Sequence, residues 1–245
     1  MKKIILIVLL NFFILNANAQ DTRSWKVSVG AAFALKKNNR VENNYEDMDK
    51  KFIVKPIPFI TGSIGRFSLG ANGLSFKAIG NQMMNVSAYV KRDGDKYNGL
   101  NMEPRKESVF AGISGKFFNY GLSLQKDING RSKGYTTQFS YGEMLSISEE
   151  FLLRGGLTLE WFDDKYAEYY YSVRASEATA TRPEYHLKNY FQPGLNIMPI
   201  WKLTPDISFT TIAGIKFIPK KVRNSPTMNG DKLEIGGLIG ASYSF

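Results

Sequence analysis

The sequence predicts an all-β protein, an antiparallel transmembrane β-barrel behind an N-terminal signal peptide. Three observations carry that reading. Apolar residues alternate with small or polar ones over stretches of about a dozen residues, large aromatics fall at the ends of those stretches, and the chain closes on Phe245. A tilted membrane strand needs about 9–11 residues to cross, against ~5–6 for the usual soluble strand, so the length of the alternation favours a membrane barrel. Trp25, Trp161, Trp201, Phe217 and Tyr243 are the candidate aromatic girdle, where a soluble core would place such rings mid-strand at least as often. Gly240, Tyr243 and Phe245 form the candidate signal that barrel-assembly machinery reads on a last strand.

Residues 1–19 open with Lys2 and Lys3, run apolar from Ile4 to Leu15 and end in Ala17-Asn18-Ala19. This is the pattern of a cleaved secretory signal, too short to span a membrane, and it leaves 20–245 as the barrel domain. The first strand covers 25–35, with Trp25, Val27, Val29, Ala31, Phe33 and Leu35 on one face. The stretch 53–69 reads as one long strand, with Gly73-Leu74-Ser75-Phe76 in a periplasmic connection. Alternation then places strands at about 81–92, 108–117, 120–126, 134–144, 151–162, 187–201, 206–218 and 232–245. The expected count is ten, with twelve as the alternative if 53–80 forms a hairpin plus another strand. Both counts are even, as they must be when both termini are periplasmic. Short links at 119, 145–150 and 202–206 then face the periplasm, and the long polar links 92–107, 127–133, 163–186 and 220–231 face outside.

Composition narrows the chemistry. The 245 residues include no Cys and one His, which removes disulfides, thiol nucleophiles and the usual zinc ligand sets, so no metal and no cofactor is expected. His186 has no Ser/Asp partner spacing, and Gly112-Ile113-Ser114-Gly115 is a strand piece, not a nucleophile elbow. Asp163-Asp164 beside Tyr166 reads as a solvated loop rim. No enzyme is expected. The net charge of +10 concentrates in outer-loop pairs such as Lys36-Lys37, Lys50-Lys51, Arg105-Lys106 and Lys220-Lys221 with Arg223. These either meet lipopolysaccharide phosphates or form a solvated rim; export excludes nucleic acid as a partner.

Inward positions carry Arg154, Glu160, Lys216 and Glu234, a charge cluster expected to pair across a narrow lumen and plug it. Ten strands lie nearer the packed eight-stranded barrels than the open porins of 16–18, which favours a binding or scaffold protein over a channel.

An ordered set of short motifs resembles the MltA-interacting protein (MipA/OmpV) family. It comprises Ile57-Pro58, Gly73-Leu74, Arg92-Asp93-Gly94, Gly99-Leu100, Asp164, Tyr166, Tyr169 to Val173, Tyr185 and Gly194. Trp201-Lys202-Leu203, Asn224-Ser225-Pro226 and Tyr243-Ser244-Phe245 complete it. Ser172 stands where the family usually has Gly, and Asn224 where an Asp often precedes Ser-Pro. The resemblance implies a Gram-negative outer-membrane protein without catalysis of its own. In the best-known member it implies a scaffold between a murein lytic transglycosylase and a peptidoglycan synthase; other members imply permeability or antibiotic-response roles.

Overall fold

The computed structural model describes residues 25–41, 51–70 and 73–245. The signal expected over 1–19, and Lys50, lie outside the described residues.

Twelve antiparallel strands close into a barrel in which each pairs with its chain neighbours and the first pairs with the last. They are β1 (Trp25–Lys37), β2 (Phe52–Ile64), β3 (Phe67–Gly70), β4 (Gly73–Gly80), β5 (Met84–Asp93) and β6 (Ser108–Phe117). The second half comprises β7 (Tyr120–Asp127), β8 (Tyr135–Ser146), β9 (Phe151–Phe162), β10 (Tyr190–Lys202), β11 (Ile207–Phe217) and β12 (Leu233–Ser244). Among the described residues two α-helices, α1 (Asp164–Tyr171) and α2 (Lys220–Arg223), lie in the loops after β9 and β11.

The count is twelve, not ten, and the correction falls on 53–80. Gly65, at φ 56°, and Arg66 turn the chain after Ile64, ending the expected long strand. β3 then runs back for only four residues and pairs with β4 from Phe67↔Phe76 to Gly70↔Gly73, so Gly73-Leu74-Ser75-Phe76 is wall and not connection. Phe67, Leu69, Leu74 and Phe76 all point outward on this hairpin and are 37–51% exposed. A four-residue strand is too short to show the alternation of a crossing strand, so the sequence there reads as a continuation of β2.

Register fixes what faces the lumen. Because side chains alternate, residues opposite each other share a face. Lys36↔Ile53, Lys216↔Glu234 and Gln192↔Glu160 place charged and polar side chains inward at the outer ends of the strands. Ala32↔Gly240 and Ile212↔Leu238 put small or apolar residues inward further down the lumen. The outer wall is aliphatic between aromatics: Trp25, Trp201 and Tyr243 sit at the periplasmic ends, and Trp161 and Phe217 at the opposite ends.

Candidate functional site: a capped mouth over a charged chamber

The loops above the outer strand ends fold into a cap, and its core is aromatic. Asp163 accepts a hydrogen bond from the Tyr166 N–H at 2.9 Å and so starts α1, a cap worth about 1 kcal/mol. Tyr166 and Tyr170, four residues apart, then stack down one helix face with centroids 4.6 Å apart. They meet Phe162, which stacks on Tyr190 at 4.6 Å and 20°, so helix and barrel wall share one aromatic column. Leu187, Ile218 and Val222 complete the buried cluster. The Tyr170 hydroxyl accepts from the Ser108 N–H at 3.1 Å, and a Cβ on Gly94 would lie 2.0 Å from that hydroxyl, so only glycine fits there.

Two ion pairs within the cap tie the loops together. Arg40, after β1, donates through Nε to Asp95 Oδ2 at 2.8 Å, through one terminal nitrogen to Thr227 Oγ1 at 2.8 Å, and through the other to the Tyr170 carbonyl at 2.9 Å. Its guanidinium lies 4.4 Å from the Tyr171 ring centre and 4.9 Å from that of Tyr97. Asp95 also accepts from Lys36 Nζ at 2.7 Å. Burial pushes the Asp95 carboxyl up, but the charges of Lys36 and Arg40 together outweigh it and hold it well below the usual carboxylate range. The second pair, Arg105 to Glu177 at 2.6 Å, links the loop after β5 to the loop after β9, with both side chains buried. Here too burial raises the carboxyl, while the Arg105 hydrogen bond and the Arg174 backbone N–H bring it below its ordinary value.

Beneath the cap lies a polar chamber of ≈ 270 Å³, lined by both acidic and basic side chains of the strand ends. Lys216 pairs with Glu160 at 2.7 Å, Lys91 with Asp93 at 2.7 Å, and Glu234 accepts from Gln192 at 3.4 Å. Three of the four charges expected in the lumen cluster therefore meet here. Arg154 does not: it stands opposite Met144 and Met198, six residues down β9 from Glu160, roughly 20 Å at ~3.3 Å per residue. It makes no ion pair among the described residues. The mouth is closed by folded loops, where the sequence led us to expect inward strand charges alone.

The other flagged residues are accounted for locally. His186 is exposed and lies 2.8 Å from Glu184. Asp164 accepts from the Asn189 N–H at 2.6 Å, pinning the loop. Ser114 lies within β6. Of the basic pairs, Lys36 and Arg105 are engaged internally and Lys37 meets Asp231 at 2.8 Å, while Lys221 bonds the Asn189 carbonyl. At the closing seam, Gly240 packs against Ala31 and Ala32 of β1, where a Cβ would come within 2.5 Å. Phe245 is exposed, its N–H on the Val27 carbonyl at 2.9 Å and its ring edge-on to Tyr243 at 4.9 Å. The sequence alone did not point to Arg40, Asp95 or Glu177, and it presented Tyr170 only within the Tyr169 to Val173 motif. One signal was present for α1: Asp163 followed by Tyr166-Ala167 and Tyr170-Tyr171 is a capped i, i+4 repeat.

A closed antiparallel barrel, apolar outside between aromatic ends and stoppered at one mouth by its own loops, is an outer-membrane protein of the β-barrel class. The family model described as MltA-interacting protein MipA matches residues 29–245. The chain belongs to that family. It is 27% identical over 165 residues to outer membrane protein OmpV of Vibrio cholerae, covering 60% of this chain and 63% of that one. Outer membrane protein Omp26La of Vibrio anguillarum is 26% identical over 192 residues, covering 71% of this chain and 70% of that one. Among solved structures, the outer-membrane expressed OmpT of Vibrio cholerae aligns over 91% of this chain and 97% of that chain, at 8% identity and a TM-score of 0.40.

Proposed function

We propose that this barrel is a non-catalytic envelope scaffold that holds a murein lytic transglycosylase, and through it a peptidoglycan synthase, at the inner face of the outer membrane. The observation that carries the reading is the cap. The Tyr166–Tyr170–Phe162 column and the Arg40 and Arg105 ion pairs crowd the outer mouth, which favours the periplasmic face as the working surface. That face suits a protein partner. Met83, Phe118, Ile147 and Leu203 stand on the periplasmic turns with 50–61% of their surface exposed, small apolar patches of the kind interfaces bury. The partner class comes from the description of the family model. Phe245 engages the assembly machinery, and the basic outer rim faces lipopolysaccharide.

Affinity capture of the tagged barrel from envelope membranes tests this. Murein hydrolase and synthase should copurify, and Ile147→Asp with Leu203→Asp should lose them while the barrel stays folded and heat-modifiable. Capture that is indifferent to these turns overturns the scaffold reading. The polar chamber supports a second reading, a small permeability pore; large, steady conductance of the unaltered protein in planar bilayers is the result that would favour it.

A further inference from the structure

The barrel wall has a notch. β3 joins β2 only at Gly62↔Leu69, Ser63↔Ser68 and Ile64↔Phe67, and β4 joins β5 only as far out as Leu74↔Val90. Among the described residues, 52–61 of β2 therefore pair with β1 alone and leave their other edge open. That stretch lies at bilayer height, because its outward side chains, Phe52, Val54, Pro56, Pro58 and Ile60, are all apolar and all exposed. The prolines mark the same edge. Pro56 and Pro58 are two residues apart, so their missing N–H groups belong to one side of the strand, and the other side is paired with β1 throughout. Elsewhere in the barrel the same rule holds: Pro199 falls in a break of the β10–β11 ladder, and Pro193 just beyond its end.

An open strand edge cannot face hydrocarbon, since its unpaired backbone groups have no partner there; at membrane depth such an edge is tolerated where it borders a water-filled cavity. A cavity is present on the inner side. Space of ≈ 190 Å³ contiguous with the chamber is walled by Ile53 and Lys55 of β2 together with Lys36 and Arg40, and among the described residues its basic side chains outnumber its acidic ones five to three. On the lipid side, at the foot of the notch, an apolar groove of ≈ 360 Å³ runs between Ile60, Leu69 and Leu74. Lys55 and Ile60 are five residues apart on one strand, about 17 Å at ~3.3 Å per residue, the span of a long acyl chain.

We propose that the notch is a side port for a single-chain anionic amphiphile of the fatty-acid class. Its carboxylate enters the basic side of the chamber near Lys55, Lys36 and Arg40, and its chain lies in the Ile60–Leu69–Leu74 groove. The cap crowds the axial route, so exchange runs sideways between chamber and bilayer.

The test uses the full barrel refolded in vesicles of neutral lipid with a photoactivatable palmitate analogue carrying its reactive group near the chain end. The wall supplies its own control, a groove of ≈ 380 Å³ between Leu153, Leu157 and Leu195 that adjoins no notch. Labelling of peptides bearing Ile60 and Leu69 should exceed labelling of the control groove at least fivefold. It should fall to control level in Lys55→Glu, shown by heat-modifiability to be folded, and for the uncharged alcohol analogue on the unaltered protein. Equal labelling of both grooves, labelling indifferent to the head charge, or cross-links joining β2 of one copy to β2 of another would overturn the side port, the last by assigning the edge to a second copy of this chain.

Discussion

Arg40 Nε and Asp95 Oδ2 stand 2.8 Å apart, joining the loop after β1 to the loop after β5. Arg40 is buried and Asp95 half-buried, and the carboxylate is shared: Lys36 reaches it from the barrel wall, while the other two arms of the guanidinium hold the Thr227 hydroxyl and the Tyr170 carbonyl. One side chain therefore connects four of the outer loops. A guanidinium suits this position because its planar fork addresses three acceptors at once while its face stacks on Tyr171 and Tyr97, which an ammonium cannot do.

Removing Arg40 should loosen the cap. Breaking the pair leaves Asp95 half-buried with Lys36 alone and empties the slot between two rings, a loss on the order of 2–3 kcal/mol, below that of a fully buried charge left unpaired. Arg40→Ala is expected to lower the urea midpoint of cap unfolding and to raise conductance in planar bilayers above that of the unaltered barrel; Arg40→Lys should fall between. An Arg40→Ala barrel that conducts no more than the parent would show that the cap does not depend on this link.

The cap should also fail in acid, with a window set by two carboxyls. Asp95 and Glu177 are both held below their ordinary values in the folded protein. A group depressed by folding binds its proton less readily folded than unfolded, so its contribution is complete well above the unfolded value of about 4 and is lost as pH falls through the folded value. The cap should keep its near-ultraviolet tyrosine dichroism at pH 5 and lose it progressively below about pH 4. Asp95→Asn should already show weakened dichroism at neutral pH and a smaller further loss in acid.

The barrel was legible in the sequence because period-two alternation over a dozen residues reports directly on a wall with lipid on one side, as in 25–37 and 233–244. What escaped were features without that period. β3 is too short to alternate recognisably, and its turn rests on the conformation of Gly65. In the lumen, alternation showed that Arg154 and Glu160 share a face, and their six-residue spacing on one strand, roughly 20 Å at ~3.3 Å per residue, already set them at different depths. The cap was hidden for another reason. Arg40, Asp95 and Tyr170 meet only because four loops converge, and no local spacing encodes a contact between residues 130 positions apart.

External protease should distinguish cap from loop tips. The long outer links read as uniformly accessible in the sequence, yet much of their chain is buried in the cap. Cutting of intact cells should concentrate at 178–181, at the far end of the loop after β9, and around 128–131, beside the exposed Ile128. The chain around Tyr97, Val173 and Thr227 should resist. Primary cuts at 147–150 or 203–206 would reverse the orientation of the barrel.

The last strand separates assembly from stability. Gly240 faces β1 so closely that a Cβ would lie 2.5 Å from that of Ala32 and 2.6 Å from the Ala31 carbonyl, so Gly240→Val must push the closing strands apart. Phe245 has 67% of its surface exposed and holds the seam mainly through its backbone N–H on Val27, which a serine also provides. Gly240→Val should therefore lower both the yield in the outer membrane and the denaturant midpoint of barrel refolded in detergent. Phe245→Ser should lower the membrane yield severalfold while leaving that midpoint within about 0.5 kcal/mol of the parent, as expected for an exposed side chain. Heat-modifiability in membranes and in refolded samples reads the two quantities side by side. Were Phe245→Ser to reach the membrane normally, the terminal aromatic would have no part in assembly; were it to destabilise the refolded barrel as Gly240→Val does, its part would lie in closing the seam.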